Sequence, residues 1–336
     1  MHMADALISP AVGGTMWVVS AGLTAGCARR VRALRDDRLI PMMGVMGAFL
    51  FTAMMINFSI PGTGSSGHLG GGLLLAILLG PHAAFLVIAS VLAVQALFFA
   101  DGGLLALGCN IFNLGVFPMF VAYPCIYRPI AGKHFHDTRA AVAAVLAAIV
   151  GLQLGAFGVV LETTCSGISS LPFRAFVLLM QPIHLAIGVV EGFATAALVG
   201  FLAHARPEAL LTMPPTSAER RSLRPVLLGL VVAAALLGGA VSWFASTHPD
   251  GLEWSVAKIA GRAEPDSPSD RVHAALARAQ EKTALLPDYS VPQATSAPAK
   301  CAGKSLAGLL GGLLALALAG LIGYLLRKRK SAPSKR

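Results

Sequence analysis

Apolar residues occur in long runs along almost the whole chain, and short polar or basic stretches separate the runs. About 20 apolar residues in a helix cross the ~30 Å hydrocarbon core of a bilayer. The pattern predicts helical segments over residues 9–28, 40–58, 70–79, 81–99, 106–127, 140–161, 172–204, 225–245 and 306–326. The third is too short to cross alone, and Gly80-Pro81 ends it because proline disfavours a continuous helix. The sequence therefore predicts an all-α, polytopic membrane protein.

A polar linker divides this pattern into two modules. The first module is predicted as a bundle of about seven helices, and the second as two further membrane helices that flank a polar cap. The predicted parts are a membrane domain over 1–205, a linker over 206–224, a second module over 225–326 with its cap over 246–303, and a basic tail over 327–336. The stretch 270–286 is alanine-rich and ends at Pro287, which is typical of a helix and its stop. The cap is thus predicted to be folded.

The charged residues give a membrane topology. Only 12% of the residues are charged, against about 25% in soluble domains. A cleaved signal peptide carries its positive charge before the apolar stretch, whereas here the arginines of 29–38 follow it. Positive loops stay on the cytoplasmic side. We therefore expect an uncleaved amino terminus outside the cell, the cap 246–303 outside, and the carboxyl terminus inside.

Several motifs resemble known functional sites without meeting their requirements. Gly303-Lys304-Ser305 resembles the end of a phosphate-binding loop, but Pro298 stands where that motif needs glycine. No nucleotide site is expected on this chain. His134 and His136 lie in a short basic loop and are interpreted as solvated. The five cysteines form no CxxC pair, and the aromatic residues form no base-stacking set, so neither a thiolate site nor nucleic-acid binding is indicated.

The amino terminus carries the most informative chemistry. Met1-His2 offers the α-amine, the amide nitrogen of His2 and its imidazole as three consecutive nitrogen donors. The predicted topology places the loop 59–70 on the same side of the membrane, so that His68 can supply a fourth nitrogen. Square-planar nitrogen ligation suits Ni(II) or Cu(II). The sequence therefore predicts a transition-metal site built from Met1, His2 and His68.

Polar and small residues inside the spans suggest a second kind of role. His184 and Glu191 are seven positions apart and share a helix face. Ionisable groups within a membrane helix are costly, so coupling and packing are both open interpretations for this pair. Ala21 and Ala25 lie one turn apart in the first helix, where small residues allow another helix to approach.

Short motifs resemble the CbiM/NikM family, which are membrane substrate-capture components of energy-coupling-factor transporters for cobalt and nickel. They occur in the family's order over residues 1–204: Met1 to Pro10, Met55-Ile56-Asn57-Phe58, Gly67-His68-Leu69-Gly70-Gly71, Gly80-Pro81, Asp101-Gly102-Gly103-Leu104, Asn110-Ile111-Phe112-Asn113, and His184 to Gly192. Residues 249–289 resemble the PDGLE segment of the NikN-type accessory component. Where family members often begin Met-His-Ile-Pro-Asp-Gly, this chain has Met3, Ala4 and Ala6, which leaves the Met-His pair intact.

The resemblance implies a transporter subunit and not an enzyme, in the cell membrane of a bacterium or archaeon. It implies that Ni²⁺ or Co²⁺ is the transported substrate, bound by Met1, His2 and His68. Asn57, Ser66 and Asn113 are expected around the ligands, because metal-bound histidines usually donate their other N–H to a fixed acceptor. A transmembrane coupling protein and cytoplasmic ATP-binding subunits are expected as partners.

The sequence leaves two alternative functions open. An ion-coupled secondary transporter could use His184 and Glu191 as a proton relay, although no inverted repeat supports it. A metal sensor could signal through the cap, although the sequence has no cytoplasmic signalling domain. The sequence leaves the choice between nickel and cobalt open.

Overall fold

The computed structural model describes residues 2–34, 36–132, 135–210, 222–263, 268–291 and 296–327. Its helices are α1 Pro10–Leu34, α2 Leu39–Met54, α3 Gly72–Leu79, α4 Pro81–Phe99, α5 Leu107–Ile111, α6 Arg128–Ala131, α7 Asp137–Ser166, α8 Phe173–Ala205, α9 Arg224–Gly239, α10 Gly251–Ala260, α11 Arg271–Thr283 and α12 Ala297–Leu326. Two short strands, β1 Phe58–Ile60 and β2 Ser65–Gly67, form an antiparallel hairpin.

In the part of the chain that the structure describes, six helices are long and apolar enough to cross a membrane: α1, α4, the rod Leu107–Ala131, α7, α8 and α12. Helices α2 and α9 are also apolar but have 16 residues each, and α3 has 8. The prediction of an all-α, polytopic membrane protein is confirmed.

The rod Leu107–Ala131 is not a uniform α-helix. Between α5 and α6, residues Phe112–Tyr127 form a π-helix that contains Pro118 and Pro124. Proline lacks a backbone N–H and its ring crowds the preceding turn, so a regular α-helical ladder is interrupted at both positions. Wide π-helical turns often occur at functional sites, and Asn113 lies in this segment.

Helix bounds differ from the sequence pattern mainly at polar ends. Helix α1 continues to Leu34, so arginines predicted to lie in a loop form its last turns, consistent with the good helix propensity of arginine. Helix α12 begins at Ala297, because Ser296 caps it by accepting from the Ala299 N–H. Helix α9 ends at Gly239, earlier than predicted, and a 3₁₀ turn Val241–Phe244 follows.

The second module packs directly on the first. Helix α12 lies along α2, and α9 packs against both. The contact uses small residues: a Cβ on Gly47 of α2 would lie 3.0 Å from the Ala315 carbonyl oxygen of α12. Close approach through small side chains is how helices associate in membranes. Residues 10–210 and 222–327 therefore form one bundle in the described parts of the chain.

Some predictions fall outside the described residues. They concern Met1, His134, most of the linker (211–221) and most of the basic tail (328–336).

Candidate functional site

The amino-terminal segment lies extended across the turn that follows α4. The Met3 N–H donates to Asn110 Oδ1 at 2.8 Å, and the Met3 carbonyl accepts from the Gly103 N–H at 2.9 Å. Asp5 accepts from the Ala106 N–H at 3.0 Å. A Cβ on Gly103 would lie 1.8 Å from Asp5 Oδ1, so glycine is needed for this close approach. The residues that follow His2 in the sequence therefore hold it in position.

His2 meets His68 across the site. Their rings stack with centroids 5.1 Å apart and planes inclined by 23°. His2 Nδ1 lies 2.7 Å from Asp101 Oδ1, while Nε2 is buried without a partner among the described residues. Burial alone would raise the pKa of the Asp101 carboxyl, but His2 and the hydroxyl of Tyr289 lower it to about 2. Asp101 is thus a carboxylate that holds the His2 ring.

The orientation of the His2 ring bears on the predicted chelate. A six-membered chelate ring with the amide nitrogen of the same residue can be closed by Nδ1 but not by Nε2. In this structure Nδ1 faces Asp101. Closing the predicted chelate would therefore require the ring to turn so that Nδ1 leaves Asp101.

His68 follows the β1–β2 hairpin and is a neutral imidazole. Its Nδ1 lies 3.2 Å from the Leu69 carbonyl oxygen, so this nitrogen carries the hydrogen and Nε2 keeps a lone pair. Burial lowers the pKa of His68 to about 3. The loop is held from α8 by Glu191, whose two carboxylate oxygens accept from the N–H groups of Gly70 and Gly71 at 2.6 and 3.1 Å.

The polar segment of the second module covers the hairpin. Ser66 donates its N–H to the Pro249 carbonyl and its hydroxyl to the His248 carbonyl, both at 2.8 Å. The Trp254 indole donates to the Thr63 carbonyl at 3.0 Å. These bonds join β2 and its turn to the start of α10. The prediction that the cap is folded is confirmed for its described residues.

The sequence Pro-Asp-Gly-Leu-Glu has a physical explanation here. Asp250 accepts from the Leu252 and Glu253 N–H groups, and Glu253 accepts in return from the Asp250 N–H, which is a complete capping box for α10. Gly251 lies between them against α8, where a Cβ would come within 2.6 Å of Ile183 Cγ2. The motif thus starts a helix and lets it approach the membrane domain closely.

Helix α11, in the later part of the cap, contacts the amino-terminal segment. His273 of α11 directs Nε2 at the carbonyl oxygens of Asp5 and Ile8, at 3.1 and 3.0 Å, and Nδ1 at the Asp270 carboxylate. His273 thus contacts the amino-terminal segment through one ring nitrogen and Asp270 through the other. Helix α11 is therefore bonded to the segment that carries His2.

Tyr289 of the cap also contacts Asp101. Its hydroxyl donates to Asp101 Oδ2, and its ring stacks on Phe99 with centroids 5.1 Å apart. Asp288 and Tyr289 have φ of 50° and 55°, in the left-handed region that non-glycine residues rarely adopt. Such strained positions cluster at functional sites. The cap therefore reaches His2 through Asp101 and His68 through the hairpin.

The other predicted site residues make different kinds of contact. The side-chain oxygen of Asn57 is buried without a hydrogen-bond partner among the described residues, and its backbone carbonyl accepts from the Ser246 N–H at 2.8 Å. Ser66 bonds the cap as described. Asn113 donates to Glu162 within the membrane at 2.6 Å. Ala21 and Ala25 are exposed on α1. The roles predicted for these residues stay predictions.

The side chains at this site supply too few donors for a four-coordinate metal ion. Within the described ranges, no three side chains of His, Cys, Asp or Glu are grouped so that they could hold a metal ion. His2 and His68 supply two imidazoles, so a four-coordinate site needs backbone nitrogens as well. That requirement agrees with the predicted use of the His2 amide and the α-amine of Met1, which lies outside the described residues.

Sequence reasoning missed several polar groups of this site. From the sequence, Asp101 is only one residue of a family motif, and Asp250 and Tyr289 are only residues of the PDGLE-like segment. Asp101 had a usable signal, since an acidic residue on the same outer turn as two candidate ligands is a natural partner for an imidazole. His273 and Tyr289 had none, because no local pattern pairs residues so distant along the chain.

Comparisons with known proteins agree with this architecture. The model of the CbiM family, described as a cobalt uptake substrate-specific transmembrane region, matches residues 2–209, and the PDGLE domain model matches residues 224–328. The fused nickel transport protein NikMN of Rhodobacter capsulatus is 30% identical over 344 residues, covering 96% of each chain. The cobalt transport protein CbiM of Geobacter sulfurreducens is 29% identical over 282 residues, covering 80% of each.

A solved structure supports the fold. The crystal structure of a transition metal transporter superposes with a TM-score of 0.55 at 29% identity, covering 63% of this chain and 96% of the other. The chain belongs to the CbiM family, carries a fused PDGLE domain, and is a multi-pass membrane component of nickel or cobalt transport.

Proposed function

We propose that this chain is the substrate-capture component of an ATP-driven energy-coupling-factor transporter that imports nickel. The ion is captured on the outer face by the Met1 amine, the His2 amide and imidazole, and His68. The observation that carries the proposal is the stacked pair of imidazoles, 5.1 Å apart, beneath the folded cap. Two distant parts of the chain meet there at an end of the bundle.

Nickel is the preferred substrate for two reasons. Four nitrogen donors in a plane suit Ni(II), and Irving–Williams order places nickel above cobalt for a given nitrogen site. In addition, the Rhodobacter relative that matches this chain almost end to end is named for nickel. Cobalt is the second candidate, because the family model for residues 2–209 and the Geobacter relative are named for cobalt.

Partner chains are expected to dock on α1. A Cβ placed on Gly22 or Gly26 would meet nothing within 4 Å, and Ala21 and Ala25 are exposed beside them. This open face of small residues would let a helix of the transmembrane coupling protein approach closely. The ATP-binding subunits would act from the cytoplasm through that protein.

The contacts of Glu191 do not favour the alternative of a secondary transporter that uses this residue in a proton relay. Both of its carboxylate oxygens accept backbone N–H groups of the loop that carries His68. This arrangement supports a role in holding the capture loop, which a proton relay through the same carboxylate would disturb.

The energy source provides the test of the proposed function. Membrane vesicles are prepared with the chain alone and with its transporter partners, and uptake of radioactive nickel is measured. We expect uptake only with the partners and ATP, unaffected by a protonophore, and one nickel bound per purified chain. Uptake by the chain alone that collapses with the proton gradient would establish a secondary transporter instead.

The proposed orientation predicts which residues face the outside. Ser269 is exposed in the cap, and Asp37 is exposed in the turn between α1 and α2. Single cysteines are introduced as Ser269→Cys or Asp37→Cys after Cys125, Cys165 and Cys301 have been changed to serine. In intact cells an impermeant maleimide should label only the first, and lysis should expose the second. The reverse pattern would invert the proposed topology.

A further inference from the structure

His184, in the middle of α8, has one ring nitrogen within hydrogen-bond distance of a backbone carbonyl and one without a partner among the described residues. Its Nδ1 lies 2.7 Å from the Met180 carbonyl oxygen. A carbonyl can only accept, so Nδ1 carries the hydrogen and Nε2 keeps its lone pair. The side chain is 1% exposed, and Nε2 has no hydrogen-bond partner among the described residues. Buried polar atoms are normally paired, so this one calls for an explanation.

The unpaired nitrogen borders a cavity that it shares with the capture site. This cavity, of about 10 Å³, is lined by His68, His184, Asp250 and Gly251 among others. A Cβ on Gly251 would lie 3.5 Å from His184 Nε2, so the cap closes the cavity from above at this point. The volume corresponds to about one water-sized species. His68 and His184 are thus neighbours across a space that a single small ligand fills.

A second cavity continues from the first into the bundle. It has the same volume of about 10 Å³ and shares Gly70, Leu114 and Leu152 with the first. Its lining adds Glu191 and Asn113, whose Oδ1 is also buried without a partner among the described residues. Polar atoms therefore continue inward from the capture site along one side of the loop that Glu191 holds.

We propose that His184 is a second binding station for the captured divalent cation, which receives it from His68 on the way into the membrane domain. The inference rests on the proposed function, since it needs a cation captured at His68. A neutral imidazole nitrogen is a good ligand for Ni(II) or Co(II). A hydrogen bond from the other ring nitrogen to a backbone carbonyl is the usual way in which a metal-binding histidine is oriented.

The station binds more weakly than the capture site, which is what transit requires. Among the described residues, His68, His184 and Asp250 line one cavity, but no three side chains of His, Cys, Asp or Glu are grouped so that they could hold a metal ion. His184 and its neighbours therefore offer fewer donors than the four nitrogens proposed for the capture site. Passage through a membrane protein needs successive sites that bind strongly enough to be entered and weakly enough to be left.

The experiment separates capture from transit. His184→Asn keeps a donor near the position of Nδ1 for the Met180 carbonyl but removes the second ring nitrogen. His204→Asn is the matched control, since His204 lies on the same helix, is exposed, and pairs with Asp137 far from both cavities. Equilibrium binding of radioactive nickel to the purified full chain and nickel uptake by the chain with its transporter partners are measured for each variant.

We expect His184→Asn to bind nickel within twofold of the wild-type affinity and to lose at least tenfold in uptake, while His204→Asn changes neither. Uptake within twofold of wild type would overturn the proposal, and so would a parallel loss of binding and uptake, which would make His184 part of the capture site. Failure of the wild-type chain to bind nickel would instead refute the proposed function.

A second variant keeps the test independent of folding defects. His184→Cys replaces the nitrogen with a soft thiolate, which favours Cd(II) over Ni(II). We expect the ratio of cadmium to nickel uptake to rise at least fivefold while nickel binding at the capture site is retained. An unchanged ratio would show that the side chain at this position does not touch the ion.

Discussion

Lengthening the amino terminus by Gly-Ser is expected to lower nickel affinity by at least ~100-fold, more than the ~10–100-fold typical for groups that only support a ligand. The proposed chelate uses the α-amine, the next amide nitrogen and the imidazole of His2 as adjacent donors. Two added residues move the α-amine away from the imidazole along the chain. They also convert the nitrogen of Met1 from an amine into a peptide amide. Isothermal titration with nickel of the purified chain measures the effect.

The length of the extension matters. Adding one residue would create an amino-terminal X-X-His sequence, whose amine, two amides and imidazole form four nitrogen donors without His68. Such a variant should still bind nickel, but independently of His68. Met1→Ala, prepared with a free amine by cleavage of a leader, keeps the donor order and should bind normally. Wild-type affinity in the Gly-Ser variant would remove the α-amine from the site.

Absorption gives an independent measure of the same chelate. Planar Ni(II) with four nitrogen donors is yellow and diamagnetic, whereas octahedral Ni(II) is pale and paramagnetic. The nickel form of the unextended chain should therefore be diamagnetic. A paramagnetic nickel form would mean that the His2 ring does not turn from Asp101 to close the chelate.

The sequence predicted the helices well because the bilayer imposes a length and composition that few other structures share. The break at Gly80-Pro81 appears where expected, with α3 ending at Leu79 and α4 beginning at Pro81. Helix ends were predicted less well. Helix α12 extends to Ala297 through polar residues, because a serine cap and neighbouring packing stabilise turns that hydropathy assigns to a loop. The π-helix at Phe112–Tyr127 could not be predicted from apolar content alone.

The meeting of His2 and His68 could be anticipated from topology, since both were placed on one side of the membrane. The groups that orient them could not. Asp101 meets His2 because Gly103 lets the terminus lie on the turn, and Tyr289 meets Asp101 through left-handed backbone at the end of the cap. These contacts depend on how two modules dock, and no periodic pattern in either module reports that.

Replacing His68 with alanine is expected to lower nickel affinity by roughly 100-fold or more while the protein still inserts and purifies, since a lost ligand should cost at least as much as a lost supporting group. The reason for intact folding is that the loop is held by backbone bonds, from Glu191 to Gly70 and Gly71 and from Ser66 to the cap, none of which uses the imidazole. His248→Ala is the matched control, because His248 is exposed nearby and bonds Ser66 only through its carbonyl.

Equilibrium nickel binding and thermal unfolding of His68→Ala and His248→Ala decide the outcome. Because burial lowers the pKa of His68 to about 3, its ring stays neutral throughout the neutral and mildly acidic range. Protonation of His68 therefore does not explain any loss of affinity between pH 5 and 7, and proton competition in that range must act on other donors.

If His68→Ala binds nickel as tightly as wild type, another group completes the site. The first candidates would be Asp250 and His184, which line the same cavity as His68. In that case the ion would lie deeper than the stacked imidazoles, and His184 would belong to the capture site instead of receiving the ion from it.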